Sequence, residues 1–189
     1  MSPLLCPAMK ETPSVCHALL QTPAFFSLLR RIDEDLMQAA RENCCCHCGQ
    51  PLHRADYPRK PRGCPPAARP DCSTRLSLCC TGCRKRTTPG SVRFLGRRVY
   101  LAIITVLRSS RAHCFSIEGL PSVSWVTLKR WRLWWDDTFP TTPIGRWLNG
   151  RLPLAPEPVA YPERLLQSVQ ADTDAGRFTA ALRLLLPPL

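Results

Sequence analysis

The chain has 189 residues, 44% of them hydrophobic and 21% charged, with a formal net charge of +12, 12 cysteines and 20 prolines. No apolar run approaches the roughly 18–20 residues that cross a bilayer, and Lys10, Glu11 and scattered prolines break any leader-like segment near the N-terminus. A cytoplasmic protein with no membrane partner is expected, and in that reducing setting clustered cysteines point to metal before disulfides.

Residues 1–22 are punctuated by proline and are expected to be poorly ordered. Thr22 then suits an N-cap and Pro23 a first helical position. Phe25, Leu28, Leu29, Ile32, Leu36 and Ala39 recur at helical spacing, so residues 23–43 read as an amphipathic helix and its terminus. Arg30, Asp33, Glu34 and Arg41 fall on its polar face. Packing against a neighbour is the expected role of this helix, rather than chemistry.

Residues 44–96 carry the strongest signal. Cys45-x-x-Cys48 is followed by Gly49, and Cys80-x-x-Cys83 encloses Gly82, with 31 residues between Cys48 and Cys80. Two intervening residues let one tight turn aim both sulfurs at a single point, and the glycine frees the backbone to direct amides at the thiolates. Two such knuckles supply four thiolates for one Zn2+, the plan of a zinc ribbon, and the metal would contribute much of the folding free energy. Arg75 to Cys79 alternates like a strand entering the second knuckle, while six prolines and glycines between Pro58 and Pro70 mark a long loop. Cys44, Cys46, Cys79 and His47 neighbour the chosen ligands and remain alternatives. Cys64 and Cys72 are expected to ligate nothing. A redox dithiol is the competing chemistry, but such a motif opens a helix after a strand, and neither pair precedes a convincing amphipathic helix.

The charge concentrates in the same region. Residues 54–98 hold 12 basic side chains against Asp56 and Asp71, residues 99–151 add a net +4, and each end of the chain is close to neutral. So dense a basic block favours a polyanion, although a merely solvated surface has the same composition. Arg84, Lys85, Arg86 and Arg93 are expected to display guanidinium and ammonium groups beside the metal. The segment from Arg84 to Gly96 reads as the closing strands of the ribbon.

Residues 97–150 read as a helix-turn-helix. Val99, Leu101, Ile103, Ile104, Val106 and Leu107 make 97–110 a mostly buried helix. A short segment, Cys114 to Leu120, and a turn at Pro121-Ser122 precede a basic helix. In that helix Leu128, Trp131, Trp135 and Phe139 form a core-facing stripe. Ser124, Thr127, Lys129, Arg130 and Arg132 lie on its other faces and are the candidate contacts to double-stranded DNA, arginine and lysine to phosphate, serine and threonine to phosphate or base edges. Tri-helical bundles that bind no DNA share this pattern. Residues 151–189 read as a proline-rich linker and two short helices, from Pro162 and over 174–186. Those helices either cap the core or recruit a partner. His17, His53 and His113 are isolated, and no nucleophile, acid or base constellation is present, so no enzymatic activity is expected.

The two knuckles, the Arg84-Lys85-Arg86 run, the stretch Thr88-Pro89-Gly90-Ser91-Val92 and the apolar helix after it resemble the N-terminal part of insertion-sequence transposases. In that family a zinc ribbon precedes a helix-turn-helix. The run Arg130-Trp131-x-x-Trp134-Trp135 followed by Phe139-Pro140 is similar to small proteins carried beside mobile elements. The resemblance spans residues 44–148 and lacks the family's catalytic domain, because the proline-rich remainder offers no block of strands to assemble three carboxylates. The expected fold is α+β: mainly α, with a small zinc-ribbon β module followed by a helix-turn-helix tri-helical bundle. The resemblance implies a nucleoid-associated DNA-binding protein of a mobile element. The alternatives are an adaptor that recruits a transposase or recombinase, and an RNA-binding protein acting through the basic loop.

Overall fold

The computed structural model describes residues 19–62, 64–96, 98–110, 123–152 and 160–186. Most of the expected irregular N-terminus, the short helix-turn-helix segment Cys114 to Leu120, its turn at Pro121-Ser122 and most of the linker lie outside them. The architecture is mixed α+β, predominantly helical with two small antiparallel sheets.

Helix α1, Pro23–Glu42, begins where the Thr22-Pro23 signal places it. Its buried face is Phe25, Phe26, Leu29 and Ile32, whereas Leu28, expected in the stripe, is 36% exposed. Asp33 also departs from expectation: instead of joining the polar face it is buried.

Five short strands follow: β1 (Leu52–Arg54), β2 (Tyr57–Pro58), β3 (Thr74–Arg75), β4 (Leu78–Cys80) and β5 (Arg86–Thr87). One sheet has the order β1-β4-β5, with Leu52 opposite Cys80 and Cys79 opposite Arg86. The other pairs β2 with β3, Tyr57 opposite Arg75. The run read as one alternating strand is therefore divided between two sheets, and Arg75, Leu76, Ser77 and Leu78 are all buried. A 3-10 turn, Pro66–Ala68, leads into the four-residue helix α2, Arg69–Cys72. Residues 91–96 do not close the sheet as strands. Phe94 makes only a single bridge to Leu101, and Val92 and Phe94 enter the larger core.

Helix α3, Ala102–Ser109, starts later than its hydrophobic pattern suggests, leaving Val99 53% exposed. Seven of its eight residues are buried. Helix α4, Trp125–Leu133, continues through a wide turn at Trp134–Thr138 and a tight one at Phe139–Thr141. The sequence stripe appears here as buried Trp131, Trp135 and Phe139. Helices α5 (Pro143–Asn149), α6 (Tyr161–Gln167) and α7 (Asp174–Leu184) complete the chain. The last two deliver Tyr161, Leu165, Leu166, Phe178, Ala181 and Leu182 to the core, so these helices cap it.

Two hydrophobic clusters result. The larger gathers α1, α3 and the segments from Trp135 to Leu185. The smaller consists of Cys45, Leu52, Leu78 and Cys80, with Met37 and Ala40 of α1 packed against it. One helix therefore serves both, the first part of its face in the larger cluster and Met37 and Ala40 against the smaller. No helix among the described residues is long and apolar enough to cross a membrane.

Candidate metal centre and cationic surface

Cys45 and Cys48 leave the end of α1 through a turn, while Cys80 ends β4 and Cys83 sits on the turn that leads to β5. Pairing of β1 with β4 brings the turns together, and the four Sγ atoms lie within 4.8 Å of one another. Cys45 Sγ is 3.6 Å from Cys83 Sγ, and Cys48 Sγ is 3.3 Å from Cys80 Sγ. Four thiolates around one ion with bonds near 2.3 Å require sulfurs about 3.8 Å apart, close to this spacing. Cys45 and Cys80 are buried while Cys48 is exposed. Cys44, Cys46, Cys79 and His47 fall outside the cluster; Cys79 donates to the Arg84 carbonyl instead.

Backbone amides complete the environment. The His47 amide, followed by that of Cys48, holds the Cys45 thiol below its ordinary value despite burial. The Gln50 amide, aided by the Cys80 side chain, brings Cys48 down to about 6. The Cys83 amide donates to Cys80 Sγ at 3.4 Å. At Cys83 the Lys85 amide pulls the same way, but burial and the three facing thiols outweigh it and push the thiol up to about 12. Four thiols this close repel as thiolates, and a cation would relieve that repulsion. The donor set therefore fits a soft, tetrahedral divalent ion.

Both knuckles place the residue after their second cysteine in the left-handed region: Gly49 at φ 69° and Arg84 at φ 60°. Glycine takes this conformation at no steric cost and arginine does not.

The expected cationic residues divide into three groups. Arg84 and Lys85 are exposed beside the cluster. Arg86 is exposed but engaged, donating to Ser77 Oγ at 3.0 Å and lying over the Tyr57 ring. Arg93 corrects the reading from sequence: it is 2% exposed, and its Nε donates to Asp33 Oδ2 at 2.7 Å. The Val92 amide donates to the other carboxylate oxygen, also at 2.7 Å, and Arg93 reaches the Asp71 carbonyl. Arg93 is a packing residue.

Helix α4 carries the third group. Ser124 is its N-cap, accepting from the Thr127 amide at 3.4 Å, and the two hydroxyls are 2.9 Å apart. Lys129 and Arg130 are exposed, with no carboxylate partner among the described residues, and Arg132 is half-buried. The same helix exposes apolar side chains that the sequence reading passed over: Trp125 at 65%, Val126 at 57% and Leu133 at 50%. For Val126 and Leu133 the signal was present, since both fall off the Leu128–Trp131–Trp135 stripe; Trp125, three residues before Leu128, continues it by spacing and is exposed all the same. Trp125 and Lys129, like Val126 and Arg130, are four residues apart and share a face. No protein-family model, curated protein or solved structure matches this chain.

Proposed function

We propose that the chain is a zinc-stabilised DNA-binding protein. Zinc is the cation expected in a closed set of four thiolates, where it has a structural role. The carrying observation is the solvent face of α4, where Lys129 and Arg130 stand without carboxylate partners among the described residues, with Trp125 exposed on the same helix. Such a helix suits a groove: the cations neutralise phosphates and the start of the helix meets base edges. Arg84 and Lys85 supply a second phosphate contact from the metal module, which acts as a rigid mount for them. The resemblance to the N-terminal part of insertion-sequence transposases supports this reading, and it implies a role at the ends of a mobile element.

If Arg84, Lys85, Lys129 and Arg130 each meet one phosphate, log affinity falls against log salt with a slope of about −4. Fluorescence anisotropy on a labelled duplex between 50 and 200 mM salt should therefore show roughly a hundredfold loss. A flat titration overturns the reading, as does purified protein with zinc near zero per chain. A second reading is favoured by the exposed Trp125, Val126 and Leu133: an adaptor that recruits a transposase or recombinase through an apolar contact. Substituting Arg130 and Arg132 by alanine separates the two. Duplex binding is lost if α4 meets DNA and is unchanged if it meets protein.

A further inference from the structure

Two cysteines outside the metal cluster are placed for chemistry of their own. Cys64 follows the β2 loop, and Cys72 ends α2 eight residues later. Cys72 is completely buried in the larger core, and Cys64 is half-buried against it. The Cys64 thiol donates to the Pro65 carbonyl at 3.5 Å, and its side chain interacts with that of Cys72. Cys64 also lines a cavity of about 370 Å³ whose other walls are Arg59, Lys60, Pro61, Arg69 and Ser73. One thiol thus faces a pocket with three cations, and the second stands behind it, sealed from solvent.

The surroundings are held in place. Arg59 donates to the Arg98 carbonyl at 2.6 Å and lies over the Phe94 ring. Helix α2 is tied to α1 by Ser27, which donates to Asp71 at 2.6 Å, and by Arg30. Asp71 is thereby occupied, leaving Arg69 and Lys60 exposed at the mouth. The Cys72 side chain and the charge of Arg69 hold the Cys64 thiol below its ordinary value, while the Cys64 side chain and burial push Cys72 up. The two thiols are unequal, one activated and one protonated. That is the division between an attacking and a resolving cysteine.

We propose that the Cys64–Cys72 pocket is a thiol–disulfide exchange site for a small anionic disulfide, recognised by its carboxylates through Arg59, Lys60 and Arg69. Cys64 gives its proton to water and its sulfur attacks one sulfur of the disulfide. The S–S bond breaks, and the first half leaves as a thiolate that takes up a proton. Cys72 then attacks Cys64 Sγ as its proton passes to the departing second half, which leaves as a thiol. The incoming disulfide is reduced to two thiols, and Cys64 and Cys72 are oxidised to one disulfide. The cations explain the preference for an anionic reagent, since a neutral disulfide of similar reactivity gains nothing from them.

The test uses the zinc-loaded chain with glutathione disulfide, followed by alkylation and trypsin. Trypsin leaves the Arg69-Pro70 bond intact, so one peptide, residues 63–75, carries both thiols. In the wild type this peptide should become lighter by two hydrogens and resist alkylation, ahead of reaction at exposed Cys46. A Cys72→Ala chain should stop at a glutathione adduct on Cys64. Replacing Lys60 and Arg69 by glutamine should slow the reaction roughly tenfold with glutathione disulfide and leave that with neutral hydroxyethyl disulfide unchanged. Three results overturn the proposal: Cys64 reacting no faster than Cys46, a wild-type adduct that never resolves, or equal sensitivity of both reagents to the substitutions. The wild-type readout needs no variant, so a Cys72→Ala chain that does not fold leaves the decision with it. It is also independent of DNA binding, so either idea can fail alone.

Discussion

At Asp33 and Arg93, two residues that look like surface charges lock one segment onto α1. The pair is closed to solvent and has neighbouring amide and carbonyl partners, so removing one member strands the other charge. Arg93→Ala should cost about 3–5 kcal/mol of stability in urea denaturation. Under conditions where the variant is folded, its salt slope for DNA should match the wild type. Unchanged stability with a shallower slope would return Arg93 to the DNA surface. Arg84 is the opposite case. It pays for a left-handed backbone that its counterpart Gly49 adopts freely, yet its side chain is exposed. Arg84→Gly should raise stability by about 0.5–1 kcal/mol, the left-handed cost less the entropy glycine adds to the unfolded chain. It should at the same time weaken duplex binding. A variant that gains stability and binds DNA as before would remove Arg84 from the contact surface.

Among the elements, the passage from α4 into α5 is the most constrained. The wide turn after Leu133 brings Trp134, Trp135 and Phe139 into mutual contact, with ring centroids 4.7–5.2 Å apart, and Phe139 meets Tyr161 at 4.9 Å. To close this cluster α5 passes directly over Phe139. A Cβ on Gly145 would sit 3.0 Å from Pro140 Cα and closer still to the Phe139 carbonyl, all of it backbone. Gly145→Ala should therefore cost about 1–3 kcal/mol by thermal melting. Gly150→Ala, which meets nothing nearer than 3.8 Å, should be close to neutral. Equal effects at both positions would show that the crossing is looser than described. Local patterns made much of this legible. The period of α1, the knuckle cysteines and the Trp131–Trp135–Phe139 stripe each lie within a few turns of chain, where spacing alone reports geometry. What escaped depends on distant partners. Asp33 finds Arg93 sixty residues away. Phe26 is buried and Leu28 is not because the larger core wraps further round α1 than a single stripe implies. The Cys64–Cys72 contact comes from the irregular Pro65-Pro66 turn, which has no period to read.

For the whole molecule, the division into two clusters predicts how metal removal acts. The smaller cluster is made of two cysteines of the candidate metal centre, Leu52 and Leu78, too little apolar area to persist alone. All five tryptophans lie between residues 125 and 147, outside it. A strong chelator should therefore abolish amide protection in the strands β1, β4 and β5 while leaving buried-tryptophan emission nearly unchanged. Full protection in those strands after metal removal would contradict a metal-dependent module.

Because α1 serves both clusters, the order in which its partners leave the ribosome matters. Everything the cysteine module needs, from Met37 to Thr87, is available once β5 has emerged. The larger cluster, to which Phe25, Phe26 and Leu29 belong, is complete only when Phe178, Ala181 and Leu182 have been synthesised. Metal capture would then come early and act as an anchor during synthesis, fixing one end of α1 while the larger cluster waits for the rest of the chain.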